Sequence, residues 1–151
     1  MILSPDRITF DRITEIVYQG SRISTLDDYH RLRAHGVRAC VDLKHEGADP
    51  WTFDAFLWLP TVDHDAPTQP HLRMGIAFLR QCERARMPVF VHCMAGIGRS
   101  STVVLAYLLA GEFQGRGIEA ALEFLCARRS CANPNARQLE AAVEAAKSFR
   151  D

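Results

Sequence analysis

The apolar run Val89-Phe90-Val91 leads straight into His92-Cys93-Met94-Ala95-Gly96-Ile97-Gly98-Arg99-Ser100, and that segment constrains the fold more than any other. Pro88 marks the boundary ahead of it, and three apolar residues make a short strand of the kind buried in the middle of a sheet. A helix starts near Gly98 and carries Val103, Val104, Tyr107 and Leu108. Between strand and helix, the small residues Ala95, Gly96 and Gly98 let the backbone curl with its N–H groups inward. A loop of that kind is an anion nest, and the helix N-terminus behind it adds positive potential.

The rest of the chain supplies matching elements. Segments 17–20, 37–43 and 56–62 read as strands. A helix between the first two is capped by Thr25, ends at Gly36 and has Leu26, Tyr29 and Leu32 on its apolar face. A second helix runs from about Thr68 to Arg86 with Leu72, Ile76 and Leu79 on one side. After the Gly98 helix, Ile118, Ala121, Leu122 and Leu125 recur at helical spacing. A last helix, opened by Pro134 and Asn135 with Gln138 placed for a capping box, is expected to bury Leu139, Val143, Ala146 and Phe149. Strands alternating with helices, then a helical tail, imply an α/β fold with a central sheet. Its 151 residues suit one domain spanning 1–151, with no linker or repeat.

Eighteen basic residues balance eighteen acidic ones, so no global field favours nucleic acid or an anionic membrane. The longest apolar stretch, Thr102 to Ala110, is too short to span a bilayer. Met1 to Arg12 mixes both charges without an apolar core, so no secretion signal is expected. Five scattered cysteines with no CxxC pair do not make a disulfide framework. A reducing cytoplasm is the expected location.

The chemistry converges on Cys93. A cysteine at a helix N-terminus beside a cation drops from a pKa of about 8.5 to roughly 3.5–7.5, so Cys93 is expected to be ionised beneath a bound phosphorus. Arg99 supplies the planar fork for two phosphate oxygens. Met94, Ala95, Gly96, Ile97 and Gly98 bring backbone amides. His92 reads as a loop-shaping hydrogen-bonder, and Ser100 can donate to the sulfur as it departs. The bare spacing is weak, since Cys131 and Arg137 repeat it. That copy lacks the strand and the glycines, and Pro134 removes an N–H.

Taken together, 92–100 resembles the phosphate-loop signature of the cysteine-based protein tyrosine phosphatase superfamily, in its small dual-specificity branch. The resemblance runs from about Gly20 to Phe149. It implies a mostly parallel sheet of four to five strands flanked by helices, with the phosphate loop between a central strand and a helix. It also implies a general-acid aspartate about thirty residues before the cysteine. Asp63, in Leu59-Pro60-Thr61-Val62-Asp63-His64-Asp65, lies thirty residues before Cys93. Asp65 is the alternative, and either aspartate could instead form a turn ahead of Pro67. A placed acid contributes about 10²–10⁴ in rate by protonating the leaving oxygen. Asp42 falls in the sheet and reads as structural. Asn135 and Gln138 fall near the phosphate loop, where capping explains them equally well.

The resemblance implies a phosphorylated protein as substrate. Met94 and Ile97 make a relatively apolar mouth that favours phosphotyrosine first and phosphoserine or phosphothreonine second, and no metal or other cofactor is expected. His30 and His35, at i and i+5, do not share a helix face; His64, Asp65 and His71 could be imagined as a metal site, but scattered histidines are more often surface or core. The loop carries no lysine, which argues against an inositol-lipid substrate unless Arg73, Arg128 or Arg129 approaches the rim. RNA 5′-phosphatase activity would call for a basic groove that a neutral chain does not suggest. A phosphate-binding module without turnover is a further alternative, although Cys93, Asp63 and Arg99 are all present. Redox control, with Cys40 or another thiol resolving an oxidised Cys93 as a disulfide, is another.

Overall fold

The computed structural model describes residues 7–151. The elements in chain order are β1 (Phe10–Arg12), β2 (Val17–Gly20), α1 (Leu26–Ala34), β3 (Ala39–Lys44), β4 (Ala55–Thr61), α2 (Gln69–Arg84), β5 (Val89–His92), α3 (Arg99–Ala110), α4 (Ile118–Arg128) and α5 (Ala136–Ser148). The strands form one sheet in the order β1-β2-β5-β3-β4. β5 runs parallel to β2 on one side and to β3 on the other, and β4 is parallel to β3. Only β1 is antiparallel. This is the α/β architecture the sequence implied, with the cysteine loop leaving the central strand.

β1 is the element the sequence did not reveal. Three residues are too few for a period-two signal, and the strand exists because a hairpin folds it onto β2. The amides of Ile13 and Thr14 both reach the Val17 carbonyl, and Thr14 Oγ1 accepts from the amides of Ile16 and Val17. The expected absence of a secretion signal concerns a segment of which residues 1–6 lie outside the described residues. Among the described residues, no helix is long and apolar enough to cross a membrane.

Successive residues of β5 face opposite ways, which is why an uninterrupted apolar run suits it. Val89 and Val91 belong to the main core with Leu72, Ile76, Leu79, Val103 and Val104. Phe90 packs on the other face with Tyr18, Leu32 and Val37. α3 lies deepest, with every residue from Arg99 to Leu108 buried.

Two helices orient differently from expectation. Thr25 caps α1 by accepting from the Asp28 amide, but Leu26 is 58% exposed. The Asp28 carboxylate turns inward instead and accepts from the amides of Ser24 and Ile8, which fastens the N-terminal segment. In α5 the fully buried stripe is Gln138, Ala142 and Ala145, while Leu139, Val143, Ala146 and Phe149 are half-buried beside it. The small alanines let α5 approach α3 closely, and the larger side chains flank the contact.

Candidate active site

The loop after β5 turns its carbonyls outward, and each one has a donor. His92 Nδ1 meets the Cys93 oxygen at 3.1 Å, and the Arg22 amide meets that of Met94 at 2.9 Å. Arg129 supplies two donors, Nη2 to the Ala95 oxygen at 3.0 Å and Nε to that of Gly96 at 2.8 Å. The Ile97 oxygen accepts from the Asn133 amide and Ser101 Oγ, and the Gly98 oxygen from the Thr102 amide and Thr102 Oγ1. By contrast, the amides of residues 94–98 find no acceptor among the described residues. With every carbonyl held outside, those N–H groups are left for the cavity, which is the geometry of an anion nest.

Gly96 is indispensable to this curl. Its φ is +73°, and a Cβ there would lie 2.5 Å from both Arg129 Nη2 and the Gly20 carbonyl oxygen. Gly98 abuts Gln138, whose Oε1 would sit 2.9 Å from an added Cβ.

Cys93 is 3% exposed at the floor of a cavity of about 500 Å³. Ser100 Oγ lies 3.3 Å from its sulfur. Gln19 Nε2 donates to Ser100 Oγ at 3.1 Å and to Ser101 Oγ at 2.8 Å, which leaves the Ser100 proton for the sulfur. Arg99 is buried. Its Nη1 donates to Glu46 Oε1 at 2.9 Å and to the Thr61 carbonyl at 2.8 Å. Its Nε has no hydrogen-bond partner among the described residues and stands 3.6 Å from Asp63 Oδ1. Burial works against the charged guanidinium, but Glu46, the Cys93 sulfur and Asp63 outweigh it, so its pKa is raised. The hydrogen bond from Arg99 in turn holds the Glu46 carboxyl below its ordinary range.

Asp63 and Asp65 separate clearly. Asp63, 60% exposed, lines the cavity with Cys93, Met94, Ala95, Ile97 and Arg99. The Asp65 carboxylate points elsewhere, 3.7 Å from Arg137, and does not line the cavity. The loop carrying both is tied to the start of α5. Asn135 Nδ2 donates to the His64 carbonyl and Gln138 Nε2 to that of Asp65. The same two residues complete the α5 capping box, so capping and loop-holding are one arrangement.

Several expectations about cations and thiols are corrected. Arg129 is no rim residue. It is buried beneath the loop, paired with Asp11. Arg128 lies over the Phe124 ring and Arg73 reaches Ser148, so Arg99 is the only arginine or lysine lining the cavity among the described residues. Cys40 pairs in register with Phe90, three residues before Cys93. That offset is about 10 Å along the strands, beyond the ~7 Å Cα limit for a disulfide.

His64, Asp65 and His71 do not gather. The one trio of potential ligand atoms among the described residues is Cys40, Asp49 and His92. There the Lys44 ammonium, 2.9 Å from both Asp42 and Asp49, already supplies the positive charge. A larger cavity of about 810 Å³ lies between the ends of α3, α4 and α5, lined by Leu109, Ile118, Val143 and Phe149, with no cysteine, serine or histidine in its lining. Glu46, Asp49 and Gln19 are site residues that sequence reasoning did not assign, and Arg129 enters beneath the loop rather than at its rim. Each is brought in by tertiary contact, and none belongs to a local motif.

Comparison with known proteins gives the same picture. Human dual specificity protein phosphatase 22 is 37% identical over 103 residues, 64% of this chain and 54% of that protein. Human dual specificity protein phosphatase 15 is 37% identical over 93 residues, 60% of this chain and 31% of that one. The chain thus spans about half the length, or less, of these curated relatives. The crystal structure of PTPMT1 in complex with PI(5)P superposes with a TM-score of 0.79 at 27% identity, over 91% of this chain and 94% of that one. Residues 17–147 match the family model described as dual specificity phosphatase, catalytic domain. The chain belongs to the dual specificity phosphatase catalytic-domain family.

Proposed function

We propose that residues 1–151 form one catalytic domain that hydrolyses phosphoric monoesters on phosphotyrosine, and on phosphoserine and phosphothreonine, through a cysteinyl-phosphate intermediate. The observation that carries this reading is that the amides of residues 94–98 and Arg99 Nε find no acceptor among the described residues, around the cavity that Cys93 and Arg99 line. The phosphate oxygens take hydrogen bonds from those amides and from Arg99. The Cys93 thiolate attacks phosphorus, forming an S–P bond while the ester P–O bond breaks. Asp63, as the carboxylic acid, gives its proton to the departing oxygen. Water then attacks the phosphocysteine, Asp63 takes a proton from it, and the S–P bond breaks. Ser100 donates to the sulfur that leaves, and inorganic phosphate is released.

Protein phosphoesters are preferred because Arg99 is the only arginine or lysine lining the cavity among the described residues, and Met94 and Ile97 give it a partly apolar mouth that suits a phenyl ring. A second reading, a phosphoinositide substrate, is favoured by the likeness to PTPMT1, which was crystallised with PI(5)P. A cytoplasmic setting goes with either, since the reaction needs a free thiol and all five cysteines are unpaired.

The test is phosphate release from phosphotyrosine, phosphoserine and phosphothreonine peptides, from phosphoinositides and from RNA 5′-triphosphate, with wild type and Cys93→Ser. Turnover of the phosphotyrosine peptides, abolished by Cys93→Ser, is expected. Exclusive turnover of phosphoinositides would establish the second reading, and activity surviving Cys93→Ser would refute both.

A further inference from the structure

Behind the phosphate loop lies a buried polar group that the steps above do not use. His92 is fully buried on β5, its ring stacked on Phe90 at 5.0 Å between centroids. On one side β2 sets Gly20 opposite it, which carries no titratable group. On the other, β3 sets Asp42 opposite, with Cys40 and Lys44 on the same strand. The segment after β3 brings in Asp49. His92 Nε2 is 2.5 Å from Asp49 Oδ2 and 4.0 Å from Asp42 Oδ1. His92 Nδ1 is 3.1 Å from the carbonyl oxygen of Cys93.

Both ring nitrogens therefore face acceptors. A neutral imidazole has one N–H and would oppose a lone pair to a lone pair at its other nitrogen, whereas an imidazolium satisfies both contacts. The charge balance leads to the same state. Asp42 and Asp49 are buried carboxylates, and Lys44 is the one ammonium between them, accepted by Asp42 Oδ2 and Asp49 Oδ1 at 2.9 Å each. Two negative charges and one positive charge leave a deficit that a protonated His92 closes, and uncompensated buried charge is strongly unfavourable.

Asp49 cannot supply the shared proton itself. Burial raises the pKa of its carboxyl, but the hydrogen bond and charge of His92, followed by those of Lys44, outweigh that and hold it below the ordinary range. Its Oδ2 also faces the Cys40 thiol at 3.6 Å, a second donor that suits an ionised oxygen.

We propose that Asp49 is a positioning residue that keeps His92 as an imidazolium beneath the phosphate loop, so that a second fixed positive charge, besides Arg99, favours the Cys93 thiolate and a bound phosphate dianion. The proposal deepens the reading of Cys93 as nucleophile and rests on it. Asp49 touches neither substrate nor the Cys93 sulfur. It acts through His92, which holds the Cys93 carbonyl and thereby fixes where the loop begins.

The test uses the whole protein in two measurements, neither of which needs turnover. Long-range ¹H–¹⁵N spectra at neutral pH report protonation of both His92 ring nitrogens. Wild type should show both protonated, and Asp49→Asn, which keeps an acceptor of the same shape without the charge, should show one bare nitrogen. Alkylation of Cys93 by iodoacetamide at mildly acid pH should slow about tenfold in Asp49→Asn, the effect of one unit in an ionisation midpoint. At alkaline pH the two proteins should react alike, and Asp49→Glu should recover much of the rate. A bare His92 nitrogen in wild type overturns the proposal even if the variant fails to fold, and so does an unchanged alkylation profile in a folded Asp49→Asn. An enzyme inactive on every phosphoester would sink the proposed function while leaving both measurements decisive for Asp49.

Discussion

Replacing Arg129 by alanine removes four hydrogen bonds from beneath the phosphate loop. The guanidinium holds the carbonyls of Ala95 and Gly96, and also meets Thr9 Oγ1 and the Asp11 carboxylate. The Asp11 pair counts for little, because Asp11 is 43% exposed and solvated pairs are weak. The two loop carbonyls matter more. A buried acceptor left without a partner costs about 1–3 kcal/mol. The Gly96 oxygen keeps only a long 3.4 Å contact from Gln19, so its cost falls at the low end and the total is about 2–4 kcal/mol. At about 2–4 °C per kcal/mol for a chain of this size, thermal unfolding should fall by roughly 4–16 °C. Loop carbonyls freed to turn inward would also repel oxyanions, so vanadate affinity should fall in the same variant. Arg129→Lys should rescue neither property, because one ammonium cannot span both carbonyls as the planar fork does. An Arg129→Ala protein with unchanged unfolding temperature and vanadate affinity would refute the claim that outward-held carbonyls create the inward-facing amides.

Asp63→Ala should lower kcat by about 10²–10⁴ for substrates with poor leaving groups, with little change in vanadate binding, and should flatten the basic limb of the pH profile. Asp65→Ala should do neither, and the reverse pattern in steady-state kinetics would reassign the acid. Burial raises the Cys82 thiol to about 11 and the Cys40 thiol well above its ordinary value. Both should resist iodoacetamide at neutral pH in the folded protein, as read by peptide mass spectrometry. The native state keeps the Cys82 proton that the unfolded chain loses first, so stability to urea should decline as pH rises from the ordinary thiol range toward about 11.

Cys93, Arg99 and the loop between them were legible as a candidate site because strand, small residues and helix start are contiguous, and each has a local physical signature. The alternation of elements was legible for the same reason. The candidate acid was narrowed to two aspartates, and only the course of the loop, tied by Asn135 and Gln138, separates a carboxylate in the cavity from one beside Arg137. The supporting shell was not legible. Glu46 reaches Arg99 across 53 residues and Arg129 reaches Ala95 across 34, and neither carries a local pattern that distinguishes it from a surface charge. Arg129 looked like a candidate rim cation for that reason. In α5, helical spacing gave the apolar side but not its rotation, because alanines fit the close contact with α3 and push the larger residues outward.

The measurement that bears most directly on the central claim is rapid-quench trapping of the phosphoenzyme, followed by peptide mass spectrometry, with a phosphotyrosine peptide as substrate. One phosphoryl group is expected on the peptide containing Cys93, formed before phosphate release and absent in Cys93→Ser. Phosphate release with no adduct at Cys93 would contradict the claim, as would an adduct on another residue.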